Sequence, residues 1–316
     1  MKKTPVLILA AAAMSALMLF TGCAKVDEDI PVVTTTVTEP PPMPYPVTIG
    51  SLVFNNAPES TASLSPAITE IIYELGFADS LTGRSEYCTY PETAEKIAVL
   101  GSAANPDVEA IIKNSPQLLI SQSPIAKKDI TAIESADTRV LIIPAPSSVE
   151  ELSQLYSSIY RVFTGDNDDE TEIISSCFSK LEASFKKNHD LLESYVYLLS
   201  DDLSAASDNT FAGNFFSHFG TNCAANTDGN IITAEELLNA DPQWLILPPY
   251  MSQESLPEEL LELTAVSEGH IITLDEETAT LLERPTSRIY LAAEYICNAV
   301  NSADTPSETE NPASEE

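Results

Sequence analysis

One feature constrains this chain more than any other: a segment that occurs twice at a constant offset of 126 residues. Val108-Glu109-Ala110-Ile111-Ile112-Lys113-Asn114-Ser115-Pro116-Gln117-Leu118-Leu119-Ile120 aligns with Ala234-Glu235-Glu236-Leu237-Leu238-Asn239-Ala240-Asp241-Pro242-Gln243-Trp244-Leu245-Ile246. Each copy reads as a short amphipathic helix, a proline break and a buried strand, so one supersecondary unit is used twice. A second strand pattern follows each copy, at residues 139–143 and 270–274. The spacing therefore predicts an α/β protein of two α/β lobes. Trp244, the chain's only tryptophan, falls inside the second strand pattern and is expected in the core.

Other punctuation agrees. Ser65-Pro66 supplies an N-cap and a proline at the first helical position. Ile68, Ile71, Ile72 and Leu75 follow at helical spacing until Gly76 ends the run. Between the two copies, Asp168–Ser194 carries one long helical pattern, with acids Asp168, Asp169, Glu170 and Glu172 early and Lys180, Lys186 and Lys187 late, the order that suits the helix dipole. Its apolar stripe of Ile173, Ile174, Cys177, Phe178, Leu181, Phe185 and Leu192 predicts one long, stiff helix lying across both lobes.

The ends are not fold. Lys2 and Lys3 precede an apolar run from Val6 to Phe20, too short to span a bilayer comfortably, and then Thr21-Gly22-Cys23. This is an export-signal pattern, and Phe20-Thr21-Gly22-Cys23 resembles a bacterial lipobox, which makes Cys23 the expected lipidation site. The organisation read from the sequence is a lipoprotein signal peptide at 1–22, a Thr/Pro-rich stalk at 23–46, an N-terminal lobe at 47–165, an interlobe helix at 166–194, a C-terminal lobe at 195–300, and a disordered acidic tail at 301–316.

Charge and composition narrow the function. With 15 Lys and Arg against 48 Asp and Glu, the net charge of −33 repels phosphate backbones and excludes nucleic acid as a general partner. His189, His218 and His270 fall at no metal-ligand spacing, and the five cysteines contain no C-x-x-C pair, so neither a metal site nor a redox motif is expected. No cofactor is implied. Catalysis needs a nucleophile and base, or a metal, in one pocket. The chain has no G-x-S-x-G elbow or phosphate-cradling loop and is read as a non-enzyme.

Four stretches carry a family resemblance: Ser63-Leu64-Ser65-Pro66-Ala67-Ile68-Thr69-Glu70; Gly83-Arg84-Ser85-Glu86-Tyr87-Cys88-Thr89-Tyr90-Pro91; Asn105-Pro106-Asp107-Val108-Glu109; and Ala265-Val266-Ser267-Glu268-Gly269-His270. With Glu283-Arg284-Pro285-Thr286-Ser287-Arg288 they make residues 48–300 similar to the substrate-binding lipoproteins of ABC importers for vitamin B12, haem and iron-siderophores. The Tyr87 and Arg284 segments are most similar to the cobalamin-binding members. The resemblance implies a ligand cleft with Ser65, Pro66 and Tyr87 on one wall and Arg284 on the other, and Gln122 as a further ligand-binding residue. Physics suits the roles, since a helix start offers N–H groups, tyrosine a flat face with a hydroxyl, and arginine a planar fork.

It further implies a corrinoid, siderophore or haem ligand, an ABC permease dimer as partner, and a lipid anchor on the outer face of the bacterial cytoplasmic membrane. Where cobalamin binders carry tryptophans, Ala103, Gln122 and Gly229 align. Glu109 and Glu235, seven residues before the proline in each copy, align with glutamates that dock such proteins on their permeases. Helix capping is the competing account, with Asn105 and the Thr233/Glu236 pair marking the two helix starts. A disulfide in some B12-binding relatives implies a Cys223–Cys297 bridge; four reduced cysteines, with Cys88 and Cys177, are the alternative. A surface lipoprotein for adhesion or sensing is the reading from another functional class.

Overall fold

A computed structural model describes residues 44–166, 171–227 and 230–303. The signal peptide, Cys23, nearly all of the stalk, Asp168, Asp169, Glu170, Gly229 and most of the acidic tail lie outside the described residues.

The chain enters through a hairpin of β1 (Val47–Ile49) and β2 (Leu52–Phe54), turned by a two-residue loop in which Gly50 takes φ 57°. Then come β3 (Thr61–Ser63), α1 (Pro66–Glu74), β4 (Leu81–Arg84), β5 (Ala98–Val99), α2 (Val108–Asn114), β6 (Leu118–Ser121), α3 (Lys127–Glu134) and β7 (Arg139–Ile142). These strands form a parallel sheet in the order β5-β4-β3-β6-β7. Two helices, α4 (Val149–Thr164) and α5 (Glu172–Lys187), lead to the second half.

That half contains β8 (Glu193–Tyr197), α6 (Phe211–Ser217), β9 (Gly220–Asn222), α7 (Ala234–Ala240), β10 (Trp244–Leu247), α8 (Thr264–Glu268), β11 (Ile271–Thr273), α9 (Glu276–Glu283) and α10 (Tyr290–Ala303). Its sheet is again parallel, in the order β11-β10-β8-β9. The architecture is thus two α/β lobes.

The repeat survives into geometry residue by residue. Asp107 and Thr233 are the two N-caps, accepting from Ala110 N and Glu236 N. Both helices end at a left-handed residue, Ser115 (φ 52°) and Asp241 (φ 40°), and both following strands are four residues long. Each strand lies between the same two neighbours, β3 and β7 for β6, β8 and β11 for β10. The expected capping box at Thr233 and Glu236 is present. Asn105 is not the cap of α2, because Asp107 sits directly before the first helical residue and its carboxylate reaches Ala110 N at 2.9 Å.

Alternation across the buried strands sorts the core. Leu118 and Ile120 of β6 and Trp244 and Ile246 of β10 face one apolar cluster that runs through both lobes and includes the buried faces of α1, α4, α5 and α10. Leu119 faces a second cluster behind the N-terminal sheet, and Leu245 and Leu247 a third behind the C-terminal sheet. The two lobes share a core and are not beads on a string. Trp244 is buried, with its indole stacked on His270 at 4.5 Å, a packing role.

The connection is made by α5, whose bounds are narrower than the 166–194 read from the sequence. Ile174, Phe178 and Leu181 are its buried stripe, and Leu192 is buried in the turn before β8. Early in the helix Phe178 meets Tyr156 of α4 edge to face, while near its end Phe185 stacks on His218 and meets Phe215 and Phe219. The helix α4 accompanies it; sequence periodicity did not separate the two helices' roles.

Cys88, Cys177, Cys223 and Cys297 are all free thiols, which corrects the expected Cys223–Cys297 bridge. Cys223 follows β9 beside Asn222 and Thr227, whereas Cys297 lies on α10 against Ser184 and Lys187 of α5, so the two side chains occupy different parts of the lobe. Burial pushes all four thiols up, Cys177 to about 11, which makes them poor nucleophiles at neutral pH.

Candidate functional site

Parallel α/β sheets leave their ligand crevices beyond the carboxyl ends of the strands, and there the structure opens a cavity of about 360 Å3. Its N-terminal wall uses the residues after β3 (Leu64–Ala67), after β4 (Tyr87) and after β6 (Gln122 and Ser123), together with Ser102–Ala104. The facing wall is Glu283, Arg284 and Pro285 at the end of α9. Ser65, Pro66, Tyr87, Gln122 and Arg284 therefore line one cavity. Ala103 also lies in it, and with Ala67, Ala104 and Ala145 it gives the lining a small, flat character.

The individual residues are positioned as follows. Ser65 is the N-cap of α1; its hydroxyl accepts from Ile68 N at 3.3 Å and donates to Gln122 Oε1. The helix start is thus largely self-capped, and with Pro66 lacking an N–H it offers fewer free donors than a bare terminus would. Gln122 is left with a buried Nε2 that has no partner among the described residues, an orphan donor on the cavity wall. Tyr87 is 55% exposed, its backbone N–H held by Ser85 Oγ at 3.1 Å. Arg284 is exposed, and no hydrogen bond or ion pair holds its guanidinium among the described residues; only its backbone N–H is fixed, to Thr280 O.

A smaller chamber of about 180 Å3 shares Pro66, Tyr87 and Arg284 with the first and adds Glu70, Tyr90 and Arg288. Beneath it lies a polar latch between the lobes that sequence reasoning missed. Arg288 stacks its guanidinium 3.9 Å over the Tyr90 ring, and approaches Glu70 at 3.5 Å and Glu277 at 3.3 Å. Thr286 Oγ1 also donates to Glu70 at 3.2 Å. One turn on, Glu74 accepts from Tyr156 OH and from Ser287 Oγ, and the same phenolic oxygen accepts from Ser287 N at 2.7 Å. Burial pushes the Glu70 and Glu74 carboxyls up, against the opposing pull of Arg288 and, for Glu74, of the Tyr156 and Ser287 hydrogen bonds. Burial, reinforced by Glu74, holds the Tyr156 hydroxyl well above its ordinary range. Its local trace in the sequence is the pair Glu70 and Glu74, four residues apart on the helix that buries Ile68, Ile71 and Ile72.

Glu109 and Glu235 are not in the cleft. Each is the second residue of its helix, exposed, and free of hydrogen bonds and ion pairs among the described residues. Thr233 is instead partnered by the next residue, Glu236.

The fold agrees with that of known proteins. The periplasmic binding protein family model matches residues 61–278. The chain belongs to that family. Its members are binding proteins for transport, not enzymes. The vitamin B12-binding protein of Yersinia pestis (strain Pestoides F) is 38% identical over 65 residues, which is 21% of this chain. The chain therefore spans only 23% of that curated relative's length in the match. The crystal structure of the periplasmic vitamin B12 binding protein of Vibrio cholerae is similar over 78% of this chain and 98% of that one, at 20% identity and a TM-score of 0.60. The periplasmic heme-binding protein of Roseiflexus sp. RS-1 is similar over 78% and 99%, at 22% identity and a TM-score of 0.56. These two likenesses concern the fold.

Proposed function

We propose that this periplasmic binding protein is a lipoprotein of an ABC importer that captures a corrinoid between its lobes and delivers it to a permease dimer. In this reading Cys23 carries the lipid, Ser65, Pro66, Tyr87, Gln122 and Arg284 hold the ligand, and Glu109 and Glu235 dock the permease. What carries it is the convergence of those five ligand residues, from both lobes, on a single cavity. Within it, an exposed tyrosine face, an unpartnered arginine fork and the orphan Gln122 donor suit a large ligand with a planar body and polar edges.

A second reading, haem or a ferric siderophore in the same cleft, is favoured by one observation. Tyr87 is the one aromatic side chain among the described residues that line the cavity, beside Ala67, Ala103, Ala104 and Ala145, so the pocket offers little aromatic area to a corrin. A melting-temperature panel with cyanocobalamin, haemin and a ferric hydroxamate separates the readings. A ligand at 100 times its Kd adds about 2.7 kcal/mol, or roughly 5–10 °C for a chain of this size. The corrinoid alone is expected to give that shift; a shift with haemin or ferric hydroxamate alone replaces the ligand, and none with any of the three favours an adhesion or sensing role.

A further inference from the structure

A second cavity, of about 530 Å3, lies away from the cleft where α4, α5 and α6 meet. Its floor is apolar: Phe178 and Leu181 are almost fully buried, and Phe185 lies beside them with one face covered by the His218 ring, stacked at 4.0 Å and within 8° of parallel. Its rim is acidic. Glu150 of α4 and Glu182 of α5 line it, neither is ion-paired among the described residues, and no lysine or arginine lines it.

The cavity is built by both halves of the molecule. At one edge Val149 N donates to Asn214 Oδ1 at 3.0 Å, tying the start of α4 to α6. The His218 side chain makes no hydrogen bond among the described residues, so its ring edge is available to an occupant. An apolar floor under two carboxylates that form no ion pair among the described residues has a definite chemical complement. An apolar ring packs against Phe178, Leu181 and the Phe185 side chain, and a positive charge faces the acidic rim. An anion is repelled by the same rim, and by a chain of net charge −33.

We infer that this cavity is a second ligand site, for a small organic cation of the arylalkyl-ammonium type, distinct from the interlobe cleft. The chain has only three histidines, so ring-labelled histidine gives three resolvable NMR signals, one of which sits in the proposed site. Benzyltrimethylammonium is the probe, with neutral benzyl alcohol and anionic benzoate as shape controls. The expected result is a saturable shift of His218, with His189 and His270 unmoved, and weaker or absent binding of both controls. Glu150→Gln with Glu182→Gln, at two exposed positions and with the melting temperature checked, should weaken the probe about fivefold. Three results would each overturn the inference: equal shifts at all three histidines, equal binding of the neutral control, or unchanged affinity in the double variant. Phe185→Leu provides a second check, since loss of the aromatic ring from the cavity wall should weaken the probe with both carboxylates still present.

Discussion

Reversing both repeat carboxylates, Glu109→Arg with Glu235→Arg, is expected to abolish uptake of cargo in a transport assay while leaving ligand affinity unchanged. The two residues hold the same place in two copies of one unit, each the second residue of a helix in its own lobe. Neither helps to build the cleft and neither is held by a neighbour among the described residues. Charge pairs steer and orient docking more than they add affinity, so under the proposed docking role reversal converts attraction into repulsion at both positions. The fold cost is small, about 0.3–1 kcal/mol for each arginine set against a helix N-terminus. Normal uptake would remove the docking role. Lost ligand binding would show that the two acids support the cleft instead.

Truncating Tyr156 to alanine is expected to cost about 3–5 kcal/mol, the largest stability loss of any single change at the latch. The ring is fully buried at the point where α1, α4 and the segment before α10 meet, and it packs edge to face on Phe178 at 4.9 Å. Its hydroxyl also bridges Ser287 N to Glu74, so Tyr156→Phe should cost about 1–3 kcal/mol from orphaned partners alone.

Protonation adds a pH signature. Because burial raises the Glu70 and Glu74 carboxyls in the folded state, the folded chain holds those protons more tightly than the unfolded chain. The associated stability is full below the unfolded value of about 4.5 and is lost as pH rises through the higher folded values. Glu74→Gln should therefore be more stable than the parent at neutral pH, and the gap should close towards pH 4.5. The exposed acids Glu151, Glu236 and Asp241, lowered by hydrogen bonds, act in the opposite sense in both proteins and cancel in the difference. Denaturant titrations between pH 4.5 and 8 that find a constant gap would contradict this.

Local chemistry made much of the fold legible. The helix–proline–strand repeat carries its own caps, breaks and buried runs within about a dozen residues, and its two copies match from N-cap to strand end. The start of α1 was equally plain, since Ser65-Pro66 and Gly76 bracket an apolar run. The connector was less so. Helical spacing continues from one turn to the next, and only tertiary packing shows that the buried stripe of α5 stops at Leu181 and that α4 packs beside it. The pairing within the latch was invisible for a different reason: Glu74 lies 82 residues from Tyr156 and 213 from Ser287, and no sequence window spans such pairs. The cysteine pairing failed because sharing a lobe does not put two side chains within bonding reach.

The cleft residues were read from family-like motifs and the structure gathers them, but what they hold depends on chemistry not visible in spacing. The most direct measurement is an equilibrium titration of the ligand chosen by the melting panel into the parent protein and into Tyr87→Ala with Arg284→Ala. These side chains are exposed, face each other across the cavity and support no other described contact that the fold needs. The account predicts that the double variant keeps its melting temperature and loses about 10–100-fold in affinity. Unchanged affinity in a folded double variant would contradict capture in the interlobe cleft.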